Sequence, residues 1–179
     1  DLIAIDTQSC EIASIINGGS SLSIASGQNG ALDIQAGQQL VAWESFQERD
    51  ASGLQAVALY SDGEYSGNHS VLIVSRTIQG EIIVESKTWQ EGAPVDLAIG
   101  DANEDGDVDI VIVSEQNGDA VVFAQSGMQA NAVPQFADAA FFETGIGASG
   151  IAALPQGALA GDFYVTFRDS RLIRTFTAN

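Results

Sequence analysis

Oxygen-bearing side chains alternate along one stretch near the middle of the chain, DANEDGDVD. Asp101, Asn103, Asp105 and Asp109 occupy positions 1, 3, 5 and 9 of this stretch, and Gly106 occupies position 6. Carboxylate and amide oxygens at this spacing can converge at roughly 2.3–2.6 Å around Ca²⁺, and a glycine permits the sharp turn that brings them together. The stretch therefore predicts a calcium-binding loop.

The charge of the same stretch also favours a cation. Five of its nine residues are acidic, so without an ion their carboxylates would repel one another. Asp107, at position 7, is expected to contribute its backbone carbonyl oxygen. The alternative is a solvated acidic turn that binds nothing. We take the predicted metal ligands to be the following residues: Asp101, Asn103, Asp105, Asp107 and Asp109.

The residues after the loop exclude an EF-hand. An EF-hand loop needs a bidentate Glu at position 12 and helices on both sides, but position 12 here is Ile112. The run from Ile110 to Val113 is β-branched throughout, which is typical of a buried strand. The loop is therefore predicted to precede a strand, with its last side-chain ligand at position 9.

The seventeen residues from Leu97 to Val113 resemble the FG-GAP/VCBS repeat, the blade unit of integrin-α-like β-propellers. The resemblance implies about one four-stranded blade per repeat and a loop that binds Ca²⁺. It also implies a secreted or cell-surface recognition or adhesion module, without catalysis of its own, that binds protein or carbohydrate ligands.

Internal repeats support such an architecture. Asp109–Glu115 aligns with Ala56–Asp62 and with Asp162–Arg168 at a spacing of 53 residues, and Asp1–Asp6 falls in the same series at a spacing of 55. A period near 50 residues with short strands is typical of propeller blades. The expected repeats share a strand at their start and cover residues 1–55, 56–108, 109–161 and, in part, 162–179.

The predicted fold is all-β, with β-propeller blades of four antiparallel strands. Fourteen strands are expected, among them Gln39–Phe46, Ala120–Gln125 and Asp162–Phe167, and no helix. The chain holds about three to four blades, whereas propellers usually need four to eight. We therefore expect either a segment of a larger propeller, with the remaining blades on a longer chain, or completion by a homo-oligomer partner.

Only one copy of the loop keeps a full ligand set. The preceding copy, Glu48–Ala56, keeps oxygens at positions 1, 3 and 5 but has Ala at position 9 and includes Arg49. The following copy, Leu154–Asp162, keeps only the final Asp. One principal metal site is therefore predicted.

The composition excludes several partners. The chain has 24 Asp and Glu against 6 Lys and Arg, a formal charge of −18, so it is not expected to bind nucleic acid through phosphate contacts. No apolar run reaches the length of a membrane span, so no membrane insertion is expected. The single cysteine, Cys10, cannot form an intramolecular disulfide.

Two other roles stay open. The chain could be the propeller segment of a secreted polysaccharide-active enzyme, although its one histidine, His69, is predicted to lie in a loop and has no nucleophile motif nearby. Trp43 and Trp89 could stack on a sugar, but half-buried packing is the simpler expectation. Alternatively, the repeats could form a structural subunit of a surface assembly or filament.

Overall fold

A computed structural model of the chain describes residues 2–6, 11–17, 22–26, 37–46, 55–63, 67–77, 82–129, 133–153, 162–169 and 172–177. These residues form 16 β-strands in five antiparallel sheets and contain no helix, which confirms the all-β class. The sheets do not close into a complete propeller in this part of the chain, so the number of blades stays a prediction.

In sheets I, II and IV, strands that are consecutive in the chain are neighbours in the sheet. Sheet I consists of β1 (Leu2–Asp6), β2 (Glu11–Asn17) and β3 (Leu22–Ser26). Sheet II consists of β4 (Gln39–Phe46), β5 (Gln55–Ser61), β6 (His69–Arg76) and β7 (Ile82–Trp89). The next six strands are β8 (Pro94–Gly100), β9 (Asp109–Ser114), β10 (Asp119–Phe123), β11 (Gln125–Met128), β12 (Pro134–Phe136) and β13 (Ala140–Glu143). Sheet III has the order β13-β10-β9-β8, and β11 and β12 pair as a separate hairpin. Sheet IV consists of β14 (Ala148–Ala153), β15 (Asp162–Phe167) and β16 (Ile173–Thr177).

Strand prediction succeeded where the apolar pattern is strong. The bounds of β4 and β15 are those predicted from the sequence. The β11–β12 hairpin was missed, because its short strands contain Gly127 and Pro134, residues that usually weaken a strand. The predicted strand Ala120–Gln125 covers most of β10 and runs on into the first residue of β11.

Sheet III lies between sheets II and IV, and β9 contributes to both interfaces. Ile110 and Ile112 pack against sheet II, whereas Val111 and Val113 pack against sheet IV. Successive side chains of a strand point to opposite faces, so a strand between two sheets needs apolar residues at every position. The uninterrupted β-branched run of β9 meets this requirement, and all six of its residues are buried.

The two interfaces of sheet III differ in the size of their side chains. Large residues fill the interface between sheets II and III, namely Val57, Leu59, Val71, Ile73, Trp89, Leu97, Ile110, Ile112, Val121, Phe123 and Phe136. Four alanines occur in the interface between sheets III and IV, which consists of Ala98, Ala102, Val111, Val113, Ala120, Val122, Ala148, Ile151, Phe163, Val165 and Phe167. Gly100 allows close approach there, because a Cβ at this position would lie 3.0 Å from the Cβ of Ala153.

Carboxylates connect the first strands of neighbouring sheets. Glu44 on β4 accepts a hydrogen bond from the backbone N–H of Ile99 on β8 at 3.1 Å. Asp96 on β8 in turn accepts one from the N–H of Ile151 on β14 at 3.0 Å. Both β8 and β14 lie at the edge of their sheets, where alternate N–H groups have no strand partner. The carboxylates therefore satisfy edge amides and fix adjacent sheets to each other.

The structure places the second repeat, predicted over residues 56–108, one residue away from the sequence alignment. Val57 faces sheet III as Val111 faces sheet IV, and β5 begins at Gln55 where β9 begins at Asp109, a spacing of 54. The sequence alignment had used 53. A shift of one residue reverses the face of every side chain, so this difference decides which residues of the two sheets are equivalent.

His69 is part of the core and not of a loop, contrary to the sequence prediction. It begins β6, is fully buried and packs against the Trp89 ring at a centroid distance of 5.3 Å. Its Nε2 lies 2.8 Å from the carbonyl oxygen of Gly92, and its Nδ1 lies 3.0 Å from the Ser61 hydroxyl. A carbonyl can only accept, so Nε2 carries the proton and Nδ1 accepts from Ser61. Burial lowers the pKa of His69, which favours this neutral form.

Substitution of Glu44 tests the connection between sheets II and III. Burial, and secondarily the charge of Asp96, raises the pKa of Glu44, although the hydrogen bond from Ile99 opposes that shift. The negative charge of Glu44 therefore destabilises the folded state, whereas its hydrogen bond with the Ile99 N–H stabilises it. We expect Glu44→Ala to reduce the free energy of unfolding by about 1–2 kcal/mol, because the Ile99 N–H loses its partner. Glu44→Gln keeps an acceptor oxygen and should be at least as stable as the wild type at pH 7.

The pH dependence separates charge from hydrogen bonding. A carboxyl with a raised folded-state pKa favours folding below its ordinary value of 4.5, and that contribution is lost as the pH rises through the folded-state pKa. The stability of Glu44→Gln relative to wild type, from urea unfolding, should therefore increase over this range and then level off. A Gln variant as unstable as the Ala variant at pH 7 would contradict this account.

Candidate metal centre

The acidic loop connects β8 to β9. Gly100 and Asp109 pair across the two strands, and the eight residues between them form the loop. Asp101 and Ala102 are buried at its base, whereas the segment from Asn103 to Gly106 is exposed. The loop thus presents its tip to solvent and anchors its base in the interface between sheets III and IV.

Two residues of the tip have left-handed backbone conformations. Gly106 has φ +93°, a conformation that glycine adopts without steric cost, and Glu104 has φ 60°. A Cβ at Gly106 would meet no atom within 4 Å, so it is the backbone angle and not a lack of space that requires glycine. This agrees with the role predicted for position 6.

Asp101 organises the first half of the loop through both of its carboxylate oxygens. Oδ1 accepts a hydrogen bond from the N–H of Asp105, and Oδ2 accepts one from the N–H of Gly106, each at 3.0 Å. These bonds fold the chain back over the carboxylate of position 1. Asp101 therefore points towards the inside of the loop, as its predicted role requires.

Asn103 and Asp105 lie next to Asp101. The N–H of Asp105 also donates to Asn103 Oδ1 at 3.0 Å, so the oxygens of Asp101 and Asn103 share one donor. Asn103 Nδ2 donates to Asp105 Oδ2 at 2.8 Å, and Asp105 Oδ1 accepts from the N–H of Asp107 at 2.9 Å. The structure thus brings the oxygens of positions 1 and 3 together on one N–H, and it places the Asp105 carboxylate against the Asn103 amide group.

Asp109 is fully buried and has a different environment. Its Oδ2 accepts hydrogen bonds from the N–H groups of Ala102 at 2.8 Å and Asn103 at 3.2 Å, and its Oδ1 accepts one from the N–H of Gln125 at 2.9 Å. Burial raises the pKa of Asp109 despite these three bonds. The carboxylate joins the loop base to the start of β11, a role that the sequence did not reveal because Gln125 is sixteen residues away.

These side chains fit a hard cation in part. A carboxylate has about four lone-pair sites, so accepting N–H groups leaves capacity for an ion at Asp101, Asp105 and Asp109. Within the described ranges, no three His, Cys, Asp or Glu side chains are grouped as a metal site. Asp107 contributes its N–H to the loop, and its carbonyl remains the predicted ligand. The five-residue ligand set stays a prediction.

Other candidate residues have varied environments. Trp89 is buried between His69 and Phe123, as expected for a packing aromatic. Trp43 is 63% exposed, so the half-buried packing expected for it is wrong. Cys10 and most of both degenerate loop copies lie outside the described residues.

Comparison of the chain with protein-family models, curated proteins and solved structures finds no match. The described residues also contain no helix long and apolar enough to cross a bilayer. The resemblance to the FG-GAP/VCBS repeat therefore rests on the loop and strand sequence alone.

Replacement of Asp109 should damage the fold more than replacement of a loop residue at the tip. We expect Asp109→Ala to lower the free energy of unfolding by about 2–4 kcal/mol without Ca²⁺, because three backbone N–H groups lose their acceptor. Asp107→Ala removes the same charge but keeps the backbone N–H that bonds to Asp105, and should cost less than about 1 kcal/mol. Equal losses for both variants in urea unfolding with chelator would contradict the structural role of Asp109.

Proposed function

We propose that the chain is a calcium-binding recognition or adhesion module, secreted or displayed at the cell surface, that binds protein or carbohydrate ligands. The observation that carries the proposal is that Asp101 and Asn103 each place an oxygen on the same N–H inside one loop, with the Asp105 carboxylate bonded to the Asn103 amide beside them. Such oxygens are the ligands that Ca²⁺ prefers, and the Gly106 conformation permits their approach.

The position of the loop suggests what the ion does. The loop joins β8 and β9, two strands of sheet III that contact both sheets II and IV. A cation among the acidic side chains would offset their repulsion and hold the base of the loop in one arrangement. Calcium then acts structurally, by keeping neighbouring sheets in a fixed relation.

The net charge supports an environment rich in divalent cations. A chain with a formal charge of −18 attracts cations over its whole surface. Extracellular calcium modules bind with dissociation constants on the order of 10⁻⁴–10⁻³ M, which suits a loop with few fully converging carboxylates. These properties favour a secreted or surface location.

A candidate contact surface for a ligand lies on β4. Leu40, Val41 and Trp43 are exposed there, and Trp43 is exposed over most of its surface. Exposed aromatic side chains are common at recognition surfaces because they offer a large apolar area and a polar N–H. The same side chain suits stacking on a sugar ring, so both protein and carbohydrate ligands remain within the proposal.

Calcium dependence of stability tests the proposal. We expect millimolar Ca²⁺ to raise the melting temperature of the wild type by about 3–5 °C relative to chelator, because the ion binds only the folded loop. Asp105→Ala should abolish most of this increase. Asp138→Ala, which removes an exposed carboxylate outside the loop, should keep it.

Calorimetric titration with Ca²⁺ provides the independent measurement. One strong site in the wild type and in Asp138→Ala, and none in Asp105→Ala, is the expected result. Identical melting curves with Ca²⁺ and with chelator would contradict both the calcium site and the structural role proposed for the ion.

The exposed face of sheet IV favours a second role, assembly with further sheets. Phe163, Val165 and Phe167 of β15 are buried against sheet III, but Thr166 on the opposite face is exposed and Tyr164 is half-buried. Ile173 on β16 pairs with Thr166 and is 67% exposed. By contrast, β5 and β9 are buried on both faces. This face could receive the remaining blades of a longer chain or a homo-oligomer partner.

Solution size tests the homo-oligomer. If a second copy covers this face, sedimentation should show concentration-dependent association that Ile173→Asp weakens, because a charge at the centre of the contact would be buried. Ile146→Asp is the matched control, since Ile146 is 77% exposed and lies in a turn. A monomer at all concentrations, with and without Ca²⁺, would reject self-assembly through sheet IV.

A further inference from the structure

A cavity of about 150 Å³ lies between sheets III and IV. Its walls are mainly apolar and come from β9, β10, β13, β14 and β15, together with the base of the acidic loop. The residues that line it include Ala102, Val113, Ala120, Val122, Thr144 and Phe163. It is separate from the exposed oxygens of the proposed calcium site.

Strand register shows what fills the equivalent space between sheets II and III. Across sheet II, Leu59 pairs with Val71 and Val71 pairs with Lys87. Across sheet III, Val113 pairs with Ala120 and Ala120 pairs with Phe142.

Leu59 and Val113 are equivalent, because each faces the next sheet from the second strand and they are 54 residues apart, as are Gln55 and Asp109. Two residues beyond Lys87 is Trp89, and two residues beyond Phe142 is Thr144. Thr144 therefore occupies the position of a tryptophan.

The loss of the indole explains the empty volume. Trp89 is buried and packs edge-on against Phe123, with ring centroids 5.8 Å apart, so it fills its interface. Thr144 is also buried, but its hydroxyl donates to the Gly118 carbonyl at 2.9 Å and its side chain is far smaller. The small side chains of Ala102 and Ala120 nearby do not compensate for the missing ring.

We propose that this cavity binds one small, uncharged aromatic molecule, of a size between benzene and indole. Apolar cavities of about 150 Å³ in proteins are large enough to accept a ligand such as benzene. A planar ring fits between two β-sheets, as Trp89 does in the neighbouring interface. The Thr144 hydroxyl already donates to Gly118, so it is not available as a donor to a strongly polar ligand in the cavity interior.

The outer edge of sheet III provides the entrance. Phe142 and Glu143 line the cavity and are both exposed on β13, the edge strand of the sheet. The Glu143 carboxylate at this mouth disfavours anions, and the apolar interior disfavours any charge. Neutral indole should therefore bind better than indole-3-carboxylate, which has the same ring system.

Indole titration into the whole chain tests the proposal. At indole concentrations tenfold above the dissociation constant, the melting temperature should rise by about 3–5 °C. In methyl NMR spectra, ring-current shifts should be largest for Ala102, Ala120 and Val122. Indole-3-carboxylate should give neither effect at the same concentration.

Variants at matched positions separate the cavity from non-specific binding. Ala120→Leu fills the space and should weaken indole binding at least about tenfold, while Ala137→Leu, at an exposed position, should leave it unchanged. If Ala120→Leu does not fold, the location of the wild-type methyl shifts decides the question. No thermal or NMR response to millimolar indole, or shifts located away from the cavity, would overturn the proposal.

Discussion

Complete burial of β9 is the constraint on which the rest of the structure depends. Ile110 and Ile112 need sheet II, and Val111 and Val113 need sheet IV, so removal of either neighbouring sheet would expose half of the strand. The strand also begins with a buried carboxylate, because Asp109 pairs with Gly100 at the end of β8. The burial of β9 therefore requires a sheet on each side of sheet III, and the same strand positions the base of the acidic loop through Asp109.

The buried Asp109 couples the proposed site to the core. Its three backbone donors come from the loop base and from β11, so the loop, sheet III and the hairpin are held by one carboxylate. Burial of an anion is costly, and N–H dipoles offset only part of that cost. A cation held by Asp109 and the other predicted ligands would reduce it further. In the proposed site, metal binding would then stabilise the interface between sheets, because it would stabilise a charge that the interface already contains.

Sequence patterns predicted individual strands and the turn of the acidic loop, but they did not predict which residues of different strands contact one another. The β-branched run of β9 and the glycine at position 6 were predicted from local properties alone, and the structure agrees with both. The role of His69 could not be read in this way, because its partners Ser61 and Gly92 are eight and 23 residues away. The sequence alignment of β5 with β9 was wrong by one residue for a related reason. A run of apolar residues fits almost as well after a shift of one position, although that shift moves every side chain to the other face.

Equivalent positions in sheets II and III carry different side chains, and these differences give the two sheets different local chemistry. Gln55 and Asp109 begin equivalent strands and are both fully buried, but only the aspartate carries a charge. Trp89 and Thr144 likewise occupy equivalent positions, and the smaller residue leaves a cavity where the larger one completes the core. In each pair the backbone geometry is retained while one side chain changes. Because every sheet is supported mainly by its neighbours, such exchanges alter local chemistry without requiring a different architecture.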